Sequence, residues 1–175
     1  MAATKELAGV GRLLGLILLR ELDRETLTAL EDPPLAAGLE AMGIELPCES
    51  LLEELAAEYF QYFISPEKGT PLVQSLHQGG SYEGTAAVEV RKVAKAAGVE
   101  LSEDHLRGAP IDHLAVELFL WSELVERDEA AAAEFAKRHL SWGLGPLNRG
   151  EREGFYRSVG GVTASFIEMI GGEET

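Results

Sequence analysis

The chain has 175 residues and a mass of 18.9 kDa, the size of one ordinary domain or two small ones. With 46% hydrophobic and 26% charged residues it can bury a core, which excludes disorder, collagen and coiled-coil rods. The formal net charge of −15 repels phosphate, so binding to nucleic acid or to an anionic membrane surface is not expected, whereas a cationic peptide is attracted.

The single cysteine, Cys48, cannot make an internal disulfide or a Cys-x-x-Cys site, and this suits a reducing cytoplasm. The apolar run Leu13 to Leu19 is far shorter than the ~20 residues that span a bilayer. The charged stretch Arg20 to Glu25 follows it without a small-x-small cleavage site, so neither membrane insertion nor a secretory leader is expected. No Arg-Arg pair occurs in the chain.

Apolar residues recur at helical spacing almost throughout. Leu7, Val10, Leu14, Ile17 and Leu18 form one stripe and predict a helix over 4–22. Gly11 and Gly15 lie four apart on it and predict close packing of a second helix against a flat face. Asp32-Pro33-Pro34 breaks the chain, and a short helix over 35–42 is expected to stop at Gly43. Pro47 opens the next helix and Ser65-Pro66 ends it; its stripe is Leu51, Leu52, Leu55, Tyr59, Tyr62 and Phe63. Residues 65–84 read as a long, apolar and therefore functional loop. A helix over 84–97 ends at Gly98, and 99–109 reads as a hinge.

Pro110 is placed as the first residue of a helix running to Arg127, with Asp128 capping the next helix up to His139 or Ser141. Asn148-x-x-Glu151 resembles a capping box for a last helix over 149–170, closed by Gly171-Gly172. No stretch alternates with period two for long, so the fold class expected is all-α. Acid is uneven: residues 31–63 carry eight carboxylates and no lysine or arginine, and a second acidic stretch surrounds the Pro110 helix. Solvated helix faces account for most of it.

There is no P-loop, no Gly-x-Ser-x-Gly, no His-Glu-x-x-His, no Gly-x-Gly-x-x-Gly and no Glu-x-x-His pair of a di-iron bundle. Asp104-His105 and Asp112-His113 are adjacent pairs, and neighbours on a helix point about 100° apart, so each chelates poorly. No metal and no cofactor are assigned. In the segment Pro110 to Trp121, Asp112 at the third helical position would meet free backbone N–H groups, and His113 and Glu117 would pair across one turn. Ile111, Leu114, Ala115, Leu118, Trp121 and Val125 would be the buried stripe. A well-capped helix with one exposed ion pair would explain all of these residues without any ligand.

Pro110-x-Asp112-His113-x-x-x-Glu117-Leu118 nevertheless resembles the Pro-x-Asp-His-x-x-x-Glu-Leu signature of the TorD/DmsD/NarJ redox-enzyme maturation chaperones. Glu58 to Phe63 resembles the family's acidic-aromatic helix end. Pro71-Leu72-Val73-Gln74-Ser75 is similar to its Pro-Pro-Tyr-x-Ser loop, with Leu72-Val73 in place of Pro-Tyr. Phe135 to Trp142 resembles its Phe-x-x-x-His-Leu-x-x-Trp element, and Phe155-Tyr156 with Phe166 its terminal helix.

The resemblance implies a single TorD-like helical bundle over 1–175, divisible into lobes 1–98 and 110–175 about the hinge. It implies a cytoplasmic, non-catalytic chaperone. Its partners would be the twin-arginine signal peptide and the apo form of a molybdopterin oxidoreductase, held until the molybdenum cofactor is inserted. Monomers and domain-swapped dimers both occur in that family. Carried over, the signal-peptide site is Asp112 and His113, with Glu117 and Pro110 beside them and Pro71 and Ser75 in the loop. Leu72, Phe60, Phe63 and Tyr82 are added as apolar contacts; Trp121 is read as core, and His139 and Trp142 as structural. Asp112 would bind or position a basic group. The rivals are a helical hydrolase using His113 with Asp112 or Glu117, and a helical adaptor with no leader to bind.

Overall fold

The computed structural model describes residues 2–102, 106–148 and 153–172. Among these the protein is all-α, as expected, with no strand and only an isolated antiparallel bridge between Val73 and His113. The helices are α1 (Ala2–Leu18), α2 (Arg24–Leu30), α3 (Pro33–Ala41), α4 (Leu52–Tyr59), the single turn α5 (Gln74–His77), α6 (Thr85–Ala96), α7 (Leu114–Arg127), α8 (Glu129–His139), the short α9 (Leu144–Leu147) and α10 (Phe155–Gly171). A 3₁₀ turn, Glu49–Leu51, leads into α4, and a π turn, Phe60–Ile64, continues it.

The centre of the molecule is α7, whose Leu114, Leu118, Leu120 and Trp121 are buried. Helix α1 lies along it, and the two glycines are the reason it can. A Cβ on Gly11 would meet Ser122 Oγ and the Trp121 ring, and one on Gly15 would stand 2.7 Å from the Phe119 ring and 3.0 Å from the Ala115 carbonyl oxygen. Small residues let the two backbones approach until no side chain fits between them.

Helix α1 ends at Leu18 rather than at residue 22 because other groups satisfy its end. Tyr59 Oη donates to the Leu18 carbonyl (3.0 Å), and Leu22 N donates to Tyr156 Oη (2.8 Å). Tyr59, Phe63 and Tyr156 pack edge to face there, with centroids 5.0 and 5.1 Å from Tyr59. Asp23 then caps α2, a seven-residue helix that the periodicity does not reveal, by accepting from Thr26 N (2.7 Å). Asp128 caps α8 as expected, accepting from Ala131 N (3.0 Å), and Gly172 closes α10 in the left-handed conformation.

Two further expectations are corrected. Pro110 does not begin a helix: Pro110 to His113 form a turn, His113 is extended (ψ 135°), and α7 starts at Leu114. The pairing of residues 112–114 with 72–74 wins over the local preference of proline for a first helical turn. The last helix starts at Phe155 with Gly154 as its cap, not at 149; Glu151 of the expected capping box lies outside the described residues.

Candidate functional site

The antiparallel contact between the two segments positions everything at the site. Gln74 N donates to the Asp112 carbonyl (2.9 Å), and Leu114 N donates to the Leu72 carbonyl (2.9 Å). The Asp112 carboxylate adds a third link, with Oδ2 accepting from Ser75 N (2.9 Å). Asp112 thus caps a helical turn, but that of α5, not its own helix. His113 takes the capping role on α7, where its Nδ1 accepts from Ala115 N (3.2 Å). An accepting Nδ1 leaves the ring proton on Nε2.

The exposed His113–Glu117 ion pair expected from the sequence does not form. Glu117 is 0% exposed and its Oε2 accepts from Trp142 Nε1 (2.8 Å), which also reaches the His139 carbonyl (2.9 Å). His139 Nδ1 donates to Gln74 Oε1 (3.0 Å), and Gln74 Nε2 donates to the Arg138 carbonyl (3.2 Å). The Trp142 ring lies 5.0 Å from that of His77, whose Nε2 donates to the Pro71 carbonyl (2.6 Å). A polar junction therefore ties α7, α8 and the 3₁₀ turn Ser141–Gly143 to the loop that carries Pro71 and Leu72. His139 and Trp142 are structural, as read from the sequence, yet they serve this junction as well as the turn between helices.

Charge is suppressed here. Burial, against the pull of Asp112, lowers His113 to about 4, and burial with the Arg138 charge lowers His139. Burial drives the Glu117 carboxyl well above the ordinary carboxylate range; the Trp142 N–H opposes this and the Asp112 charge adds to it. Burial thus works against charge on both imidazoles and on the Glu117 carboxyl.

These shifts have opposite signs in stability. The folded chain binds the His113 proton more weakly than the unfolded chain does, so stability rises with pH between about 4 and 6.5, by at most about 3 kcal/mol. The Glu117 proton is held more tightly when folded, so its contribution falls as pH rises above its ordinary value of 4.5. Replacing His113 by asparagine keeps a good helix cap and removes the titration. The gain in urea midpoint from pH 5 to pH 7 is expected to be smaller in His113→Asn than in wild type, with what remains set by His139 against Glu117. In Glu117→Gln the same difference is expected to grow.

In front of this junction opens a cleft of about 360 Å³. Among its walls are Phe63, Pro71, Leu72, Tyr82, Pro110 and His113, six of the ten residues assigned from the sequence. Asp112, Ser75 and Glu117 lie behind it, buried, and Phe60 is exposed outside it. Asp112 is 0% exposed, so in this conformation its carboxylate holds the loop and does not face an incoming basic group. Sequence reasoning missed Leu19, Arg20, Glu21, Tyr59, Ile64 and Arg107 on the cleft wall. Leu19 to Glu21 fall inside the first helix that the periodicity predicts, whereas α1 ends at Leu18. Ile64 is turned outward by the π turn, in which Ser65 N bonds to the Phe60 carbonyl (2.7 Å); such turns have no sequence signature. Asp104 and His105 lie outside the described residues.

Among the described residues no helix is long and apolar enough to cross a membrane. Comparison with curated proteins and with solved structures finds no match. The family described as nitrate reductase delta subunit does match, over residues 28–142. That span is about two thirds of the chain and contains the polar junction and most of the cleft wall. The chain belongs to the nitrate reductase delta subunit family, one of the redox-enzyme maturation chaperones that act with molybdoenzyme subunits.

Proposed function

We propose that this protein is a cytoplasmic, non-catalytic chaperone, one domain over 1–175, that binds the twin-arginine signal peptide of an apo-molybdoenzyme. It would hold the client until the molybdenum cofactor has been inserted. The observation that carries the reading is the cleft: residues from three separate sequence motifs meet at one largely apolar opening. Ile64 and Tyr82 line it, at 51% and 62% exposure, although such side chains normally seek cover. The apolar stretch of a leader covers them, in the manner of a helix laid into a groove. Asp112, Glu117 and Ser75 from behind, and His113 on the wall itself, act as positioning residues that set the Pro71–Leu72 wall.

Hydrogen exchange of the full chain, with and without a synthetic leader from a molybdoenzyme of the same host, tests the location. Slowed amides are expected at 62–64, 72–74, 82 and 106–109. Protection confined to α8 and α10 would place the leader elsewhere and reject the cleft.

A further inference from the structure

The cleft is a poor place for the basic end of such a leader. Arg20 and Arg107 line it, sharing the carboxylate of Asp23, and Asp112 is sealed behind the wall. A guanidinium entering there would meet two of its own kind against the single carboxylate of Glu21. The acid that a basic segment requires is at the other end of the same helical run. A second groove, of about 530 Å³, opens along the 3₁₀ turn and α4 against the start of α10. Glu45, Glu54 and Glu58 line it together with Leu51, Leu55 and Phe155, and no lysine or arginine does so among the described residues. Glu58 is engaged through Oε1 with Tyr156 N (2.7 Å), whereas Glu45 and Glu54 make no ion pair among the described residues.

An independent observation comes from the cleft end. Arg20 Nε is buried and has no hydrogen-bond partner, although its guanidinium is otherwise paired with Asp23. The rest of that side chain is part-exposed and lines the cleft beside Arg107. A helix that lies in the groove ends in free backbone carbonyls carrying partial negative charge, which suit the Arg20 and Arg107 guanidiniums on the cleft wall.

Building on the signal-peptide reading, we infer that the two openings form one bipartite surface with a fixed polarity. The paired arginines of the leader occupy the acidic groove at Glu45 and Glu54. Its apolar segment runs along α4 and the π turn into the cleft, and its carbonyl end meets Arg20 and Arg107. The spacing agrees: Glu54 to Ile64 is ten residues, roughly 15 Å of helix rise, and an apolar leader helix of about ten residues has the same length. Salt therefore weakens binding through the acidic groove, while the cleft supplies a contribution that salt leaves in place.

Two measurements on the full chain test this. In a double-mutant cycle, Glu45→Gln/Glu54→Gln is expected to bind an arginine-paired leader about five- to tenfold more weakly at low salt. It is expected to bind a leader with both arginines changed to glutamine as wild type does. Both side chains are exposed, so folding is not at risk. A nitroxide at the basic end of the leader should broaden amides of 45, 46 and 48–58, and one at its apolar end those of 62–64, 82 and 107–109. Equal affinities of variant and wild type for the arginine-paired leader, or reversed broadening, overturn the polarity while leaving the chaperone reading intact. A wild-type chain that binds no leader overturns both.

Discussion

Replacing Gly15 by leucine is expected to destabilise the chain by about 3 kcal/mol or more, lowering the thermal midpoint by roughly 6–12 °C. The cause is the crossing of α1 and α7. A first side-chain carbon at Gly15 would already stand 2.7 Å from the Phe119 ring and 3.0 Å from the Ala115 carbonyl. The ring, only part-buried, can rotate away; the carbonyl belongs to the backbone of α7 and cannot. The helices must separate, and with them Leu14, Ile17 and Leu18 lose their cover. Gly9 is the control, since a Cβ there meets nothing within 4 Å. Gly9→Ala is expected to raise the midpoint slightly through helix propensity. Circular dichroism melts of the two variants check this, and a Gly15→Leu midpoint within 2 °C of wild type, a margin of roughly 1 kcal/mol at this size, would contradict the packing described.

Trp142→Ala is expected to cost about 3–4 kcal/mol. It removes the N–H that satisfies Glu117 Oε2, and Glu117 Oε1 is already without a partner, so a fully buried carboxyl is left with none. It also removes the ring that packs on His77 and, through His77, steadies the Pro71 carbonyl. Trp142→Phe separates the two effects. It keeps a ring and loses the donor, at about 1–3 kcal/mol. Combining Trp142→Phe with Glu117→Gln is expected to recover part of that loss, because the amide forms no buried charge. Urea unfolding of the three variants at pH 7 measures the recovery; strict additivity would mean that Trp142 and Glu117 act separately.

The helices were legible where periodicity and end signals agree. The Gly11–Gly15 face, the Asp128 cap and the Gly172 stop follow from residue chemistry alone and stand in the structure. What was not legible depends on partners distant in sequence. Nothing local says that Tyr59 and Tyr156 end α1 at Leu18, or that loop 71–75 pulls Asp112 and His113 out of helical conformation. The motif at 110–118 lies at the polar junction for a physical reason other than the one local rules supply. Its aspartate caps a foreign turn, its histidine caps the helix, and its glutamate is buried under a tryptophan 25 residues on. The acid concentrated in 31–63 was visible as composition, but its gathering into a groove with Phe155 required the fold.

Calorimetry of the full chain against the leader of a host molybdoenzyme, with wild type and an Ile64→Ser/Tyr82→Ser variant side by side, bears most directly on the account. Wild type is expected to bind with a negative heat-capacity change, the mark of buried apolar surface. The variant should keep its melting temperature, since both side chains are exposed, and lose affinity at least about tenfold. Equal affinities, or no binding by wild type, would contradict the claim that this cleft grips an apolar export leader.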